Sequence, residues 1–161
     1  MLYCSQLFKE VRAAMSHIRQ AKKEDLIRIA EIEIFNYRLH FYPIFRNDGF
    51  YFSELQVPAK AADYESRLSN LWVYDDGVVK GFCMTEGDQL KKLFVEPVLQ
   101  GQAIGAALLT HAVAQQEVRF LWALEKNHRA IRFYARHGFL PTGERMPEDD
   151  TDEYLIRLTR I

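Results

Sequence analysis

Apolar residues cluster over positions 71–74, 78–85 and 90–95, and each run ends in a turn signal: Asp75-Asp76-Gly77, Glu86-Gly87-Asp88 and Pro97. This pattern predicts a hairpin followed by a third adjacent strand. Ile104, Ala107, Leu108 and Ala112 then recur at helical spacing, and residues 120–124 form a second buried strand run. Asn127 is a good N-cap for a helix that continues through His137 and stops at Gly138. Residues 140–144 and 154–159 predict two closing strands, separated by the acidic loop 148–153. Upstream, residues 17–21 predict a short edge strand, and a helix over 24–40 carries Leu26, Ile29, Ala30, Ile34 and Tyr37 on one side. A further helix is predicted over 59–70, with Ala62, Tyr64 and Leu68 as packing residues. Between these helices, residues 41–52 form an aromatic-rich loop broken by Pro43 and by an Asp48-Gly49 turn. Leu7, Phe8, Val11 and Met15 predict a short amphipathic helix within residues 1–15, packed on the domain or on a partner subunit. Met15 also offers an alternative start, with the preceding residues an upstream extension.

The resulting order, β-α-α-β-β-β-α-β-α-β-β, predicts an α/β sandwich with a mixed sheet and helices on both faces. A chain of 161 residues fits one such domain. Lys and Arg total 21 against 22 Asp and Glu, so no electrostatic case exists for nucleic acid or an anionic membrane. Cys4 and Cys83 fit neither a metal nor a redox spacing, the five histidines show no ligand spacing, and no apolar run reaches membrane-spanning length. Residues 1–15 lack the basic start and long apolar centre of a signal peptide. Composition therefore points to a cytoplasmic enzyme or binding protein.

The loop between the strand at 90–95 and the following helix holds the main candidate chemistry. Free N–H groups and the positive end of a helix dipole suit an anion, and Gly101 and Gly105 let backbone approach it. Two glycines alone fit a tight strand–helix turn equally well. The surrounding residues add a resemblance. Gln100-Gly101-Gln102-Ala103-Ile104-Gly105 resembles the Q/R-x-x-G-x-G/A acyl-CoA loop of the GCN5-related N-acetyltransferase (GNAT) superfamily, preceded by Leu93-Phe94-Val95-Glu96-Pro97. Asn127-His128-Arg129-Ala130-Ile131-Arg132-Phe133-Tyr134, leading into Gly138-Phe139, is similar to the same family's N-x-x-A-x-x-F-Y…G-F block. The likeness covers about residues 16–161, leaving 1–15 as an N-terminal extension. One departure is Ala103, where the family usually has Gly. Its N–H remains, while its methyl group crowds the space for a diphosphate.

The resemblance implies a GNAT-like three-layer sandwich whose fourth and fifth strands splay apart, and transfer of an acetyl group from acetyl-CoA to a primary amine within a ternary complex. It implies that the N–H groups of Gln100, Gly101, Gln102, Ala103, Ile104, Gly105 and Ala106 hold the pyrophosphate. Phe94 and Val95 would pair with the pantetheine arm, and the Val95 N–H would stabilise an oxyanion. Tyr134 is the implied proton donor. It lies two helical turns from Asn127 on the same face, so both edge one groove, although a helix cap and a core tyrosine describe the two equally well without the family pattern. Arg132 and Arg136 are candidates for the ribose phosphate or simple surface charges. Glu33 interrupts the apolar stripe of its helix, as a rim residue reaching water or as a cleft residue. Glu33, Glu86 and Asp88 are the carboxylate candidates for a general base, with water-assisted attack as the alternative. A small-molecule amine is the expected acceptor, by virtue of the aromatic segment 41–52. A protein N-terminus or lysine, or a non-catalytic acyl-CoA-binding module, are the competing readings. A homodimer is expected from the family alone.

Overall fold

The computed structural model describes residues 2–161, and side chains from residue 4 onward. The chain forms a seven-stranded mixed sheet of order β1-β2-β3-β4-β5-β7-β6 between two helical layers. The strands are β1 (Ile18–Gln20), β2 (Leu71–Asp75), β3 (Val79–Glu86), β4 (Gln89–Val95), β5 (Phe120–Leu124), β6 (Phe139–Pro147) and β7 (Tyr154–Arg160). Only the β4–β5 pair is parallel, as expected where helix α5 (Ile104–Gln116) crosses over between them.

One face of the sheet carries α2 (Leu26–Asn36) and α4 (Val57–Tyr64), which bury Leu26, Ile29, Ile32 and Tyr64 against Leu71, Val73 and Phe82. The other face carries α5 and α6 (His128–Arg136), together with α1 (Leu2–Met15). Helix α5 is apolar nearly all round: Ile104, Ala107, Leu108 and Ala112 are buried, and so are Ala106 and Leu109. A helix of that character needs cover on both sides. α1 supplies the second cover, with Ala14 buried in the same core and Val11 and Met15 packed against it.

The predicted elements from β2 to β7 form with ends displaced by a few residues at most. The clearest difference lies in residues 41–52, predicted as an irregular loop. They fall instead into a chain of helical turns: a π-helical turn at Tyr37–Phe41, α3 (Tyr42–Phe45), and a second π-helical turn at Phe50–Glu54. Pro43 is tolerated because it sits in the first turn of α3, where its missing N–H leaves no bond unmade. Tyr51 and Leu55 fold back onto Ile34, with Tyr37, Phe41, Tyr42 and Phe45 around them, as a small satellite core.

Candidate active site

Parallel pairing of β4 with β5 is confined to Gln89↔Phe120 and Leu90↔Leu121, so the strands diverge beyond Leu90. The Glu96 N–H donates to the Lys80 carbonyl at 2.8 Å, and Val95 lies opposite Gly81. In that antiparallel register the peptide groups of Leu93 and Val95 turn away from β3 and into the gap. Two side-chain amides hold the Val95 carbonyl: Asn36 Nδ2 at 3.0 Å and Gln100 Nε2 at 3.2 Å.

A groove of about 520 Å³ opens over this gap. Leu93 and Val95 contribute from β4, the turn supplies Gln100, Gly101 and residues 103–106, and α6 supplies Asn127, Phe133, Tyr134, Arg136 and His137. Among the described residues no carboxylate lines it, whereas Arg129 and Arg136 do. At its centre the first turn of α5 has no side-chain cap and no acidic residue, so its N–H groups are free to meet an anion. The turn reaches this shape through left-handed backbone at Gly101 (φ 86°) and Ala103 (φ 63°). At Gly105 an added Cβ would come within 3.5 Å of Phe133 Cζ, narrowing the groove between α5 and α6. These features fit an elongated, anionic ligand, and the predicted cofactor residues Phe94, Val95, Gln100, Gly101, Ala103, Ile104, Gly105, Ala106, Asn127 and Tyr134 all border the groove. The expected pantetheine pairing by the Phe94 backbone is corrected, because its peptide groups face β3 and those of Leu93 face the gap instead. Gln102 is exposed in the turn and its side chain does not line the groove.

Asn127 caps α6, its Oδ1 accepting the Ala130 N–H at 3.2 Å, and it also lines the groove. Tyr134 packs edge-on against Phe133 and Phe139, with ring centroids 5.3 and 6.3 Å away. Burial, with a smaller contribution from the neighbouring Cys83, pushes its phenol well above the usual tyrosine range. The hydroxyl therefore stays protonated across the physiological range. Arg136 lines the groove and Arg132 does not.

The three carboxylate candidates lie elsewhere. Glu33 is fully buried on α2, beneath the opposite face of β4. It pairs with Lys92 of β4, accepts the Tyr64 hydroxyl and lies 3.5 Å from Lys60 Nζ. Desolvation lowers the Lys92 pKa, against the pull of Glu33. Both ammonium groups also lie over the Tyr37 and Tyr64 rings, at 5.1 to 6.0 Å from the centroids. Glu86 is exposed at the far end of β3, 3.5 Å from Lys91, and Asp88 occupies the adjoining exposed turn. That turn is at the closed end of the β4–β5 gap, away from the groove. The structure brings Tyr134, Asn127 and the anion turn together and leaves these carboxylates apart.

Sequence reasoning overlooked Asn36, although it is a second polar residue near the apolar stripe that singled out Glu33, one turn later. It also overlooked the latch at the groove's rim, where Arg129 Nη1 meets His40 Nε2 at 3.0 Å and Nη2 bonds the Gln100 side chain. Burial and Arg129 lower the His40 pKa, so this imidazole is neutral and its Nε2 accepts. His40 and Arg129 are 89 positions apart in sequence, so no local pattern announces their meeting.

The diverging parallel pair, the uncapped turn at the start of α5 and the groove beside α6 define the acyl-CoA N-acyltransferase fold. Residues 67–141 match the acetyltransferase (GNAT) domain family. The chain is 33% identical over 81 residues to the peptidyl-lysine N-acetyltransferase YjaB of Salmonella typhimurium, a match covering 49% of this chain and 56% of that one. It thus spans about half the length of the curated relatives it matches. The solution structure of apo-form YjaB from Escherichia coli superposes with a TM-score of 0.68 at 23% identity, over 89% of this chain and 96% of the other. The PaiA N-acetyltransferase of Thermoplasma acidophilum, solved in complex with coenzyme A, gives 0.67 at 16% identity over 88% and 97%. Residues 67–141, just under half of the chain, carry the GNAT domain match, and the chain shares the fold of solved GNAT acetyltransferases.

Proposed function

We propose that the protein is an N-acetyltransferase that moves an acetyl group from acetyl-CoA to a primary amine within a ternary complex. The observation that carries this reading is the groove joining the uncapped α5 turn to Tyr134 along the unpaired edge of β4. The N–H groups around Ala103 to Ala106 would hold the diphosphate, and Arg136, free of any carboxylate partner among the described residues, adds positive charge nearby. The free peptide groups of Leu93 would bond a pantetheine amide, the Val95 carbonyl being held by Asn36 and Gln100. When bound, the cofactor supplies an activated acyl carbon. The Val95 N–H orients toward the gap as a donor for developing negative charge, and the Tyr134 hydroxyl keeps a proton to donate.

For the acceptor, the aromatic segment packed beside the groove, with Phe41 reaching its lining, supports a small-molecule amine. A peptidyl lysine is the second reading, supported by the named activity of the YjaB relatives and by the exposed apolar residues Phe35 and Leu39, each next in sequence to a groove residue, Asn36 or His40. Thiol release from acetyl-CoA, measured across small amines and lysine peptides, separates the two. In the same assay Tyr134→Phe should lower kcat by about 10²-fold, with the KM for acetyl-CoA within about threefold of wild type. Unchanged turnover by Tyr134→Phe at its pH optimum would remove the acid from the mechanism.

A further inference from the structure

Helix α1 precedes the stretch that resembles the family, yet two of its side chains, Leu7 and Val11, line the same groove as the anion turn and α6. They are one turn apart and share a face of α1. Val11 reaches the core over α5 as well, so it anchors the wall, while Leu7 remains 55% exposed although it borders an apolar recess. An exposed leucine beside such a recess is apolar surface still to be covered. The groove at this point is continuous with Gly101 to Ala106 on one side and with Phe133, Arg136 and His137 on the other.

We propose that α1 is a working part of the cofactor site, in which Leu7 and Val11 form an apolar wall that packs on bound coenzyme A opposite α6. The proposal rests on the acyl-CoA reading of the groove and extends it to a segment outside the two family-like motifs. Its occupant follows from continuity with the anion turn and from charge: a groove with two arginines and no carboxylate suits a polyanionic ligand that also offers apolar area. Covering Leu7 would add apolar burial that the rest of the site does not provide. Its cost is small, because α1 is already fixed by Ala14, Val11 and Met15 against α5.

Isothermal titration of the full chain with coenzyme A, without any acceptor, tests the wall directly. Leu7→Ala should weaken binding about threefold, the share of a leucine's burial left at a half-exposed site. Leu7→Glu should weaken it about tenfold or more, because it adds a negative charge to a groove that has none. Phe8→Glu is the control, since Phe8 is 77% exposed and does not line the groove; it should bind as wild type does. Thermal melting of all three variants checks that α1 stays docked. If wild type binds coenzyme A and both Leu7 variants match it within twofold, the wall is overturned and the acyl-CoA reading survives. If either Leu7 variant binds more tightly, α1 obstructs the site and the wall is again overturned. If wild type itself does not bind, the acyl-CoA reading fails along with it.

Discussion

Ala103 holds a left-handed backbone conformation (φ 63°) at the N-cap of α5, where a Cβ is unfavourable. The usual cost for an L-residue there is roughly 1–2 kcal/mol. Sequence reasoning flags the same residue for its methyl group; the structure adds that its backbone is strained. The surrounding turn tolerates it because Ala103 carbonyl still accepts the Ala107 N–H at 2.9 Å and starts the helix. Ala103→Gly should relieve the strain while adding about 0.4–1 kcal/mol of chain entropy to the unfolded state. The net gain should be about 0.5–1 kcal/mol, a rise in melting temperature of roughly 1–4 °C for a domain of this size. Calorimetry on the two proteins checks it, and a lower melting temperature for Ala103→Gly would show that the turn is unstrained. The same variant should bind coenzyme A at least as tightly, because the N–H remains and the methyl group is gone.

At the scale of elements, α2 grips β4 at two points. Glu33 pairs with Lys92, and one turn later Asn36 holds the Val95 carbonyl. The second contact fixes the strand end that faces the groove, so the first is one step removed from the chemistry. Glu33→Gln would leave two lysines around an uncharged amide, and breaking a buried pair on one side costs about 3–5 kcal/mol. The pH dependence has a definite sign. Burial already lowers the Lys92 pKa below its unfolded value, so its charged form is disfavoured in the folded state. Without Glu33 that penalty grows, and it is relieved as pH rises and Lys92 gives up its proton. The variant's deficit in urea melts should therefore be larger at about pH 7 than at about pH 9.5. A variant of wild-type stability that had lost only kcat would argue for a base at Glu33 instead. The strands β2 to β5, α5 and α6 were legible in the sequence because each is a local pattern with a local stop signal. Two kinds of feature were not. The helical turns across residues 37–54 are held by a satellite core whose members, such as Ile34 and Leu55, meet only after folding. The Glu33 cluster draws on α2, α4 and β4, so the sequence showed a polar residue out of place but not the lysines that compensate it.

Across the whole molecule, the two helical layers divide the work on either side of β4. The layer of α1, α5 and α6 forms most of the groove proposed for the cofactor, and α2 and the aromatic turns form the layer across β4, where in the proposed reading an amine would arrive. The acidic loop between β6 and β7 comes to this second side. Its Glu148 is half-buried and near enough to Tyr37 and Tyr51 for its charge to push both phenols further up. Burial, and then Asp149, raises the Glu148 carboxyl above the ordinary glutamate range. Among the acidic residues it alone combines such a shift with a position beside the aromatic turns, which suits a group that attracts a cationic amine or takes its proton. The carboxylate is the working form in either role, so kcat/KM for a cationic amine should fall as pH drops through the raised pKa. Glu148→Gln should lower kcat/KM for such acceptors by about tenfold and flatten the acid limb of the profile. Binding of coenzyme A alone should be untouched, because no carboxylate lines that groove. A variant whose profile overlays that of wild type would return the base to water, and a variant that lost coenzyme A affinity would mean that the two sides of β4 are not independent.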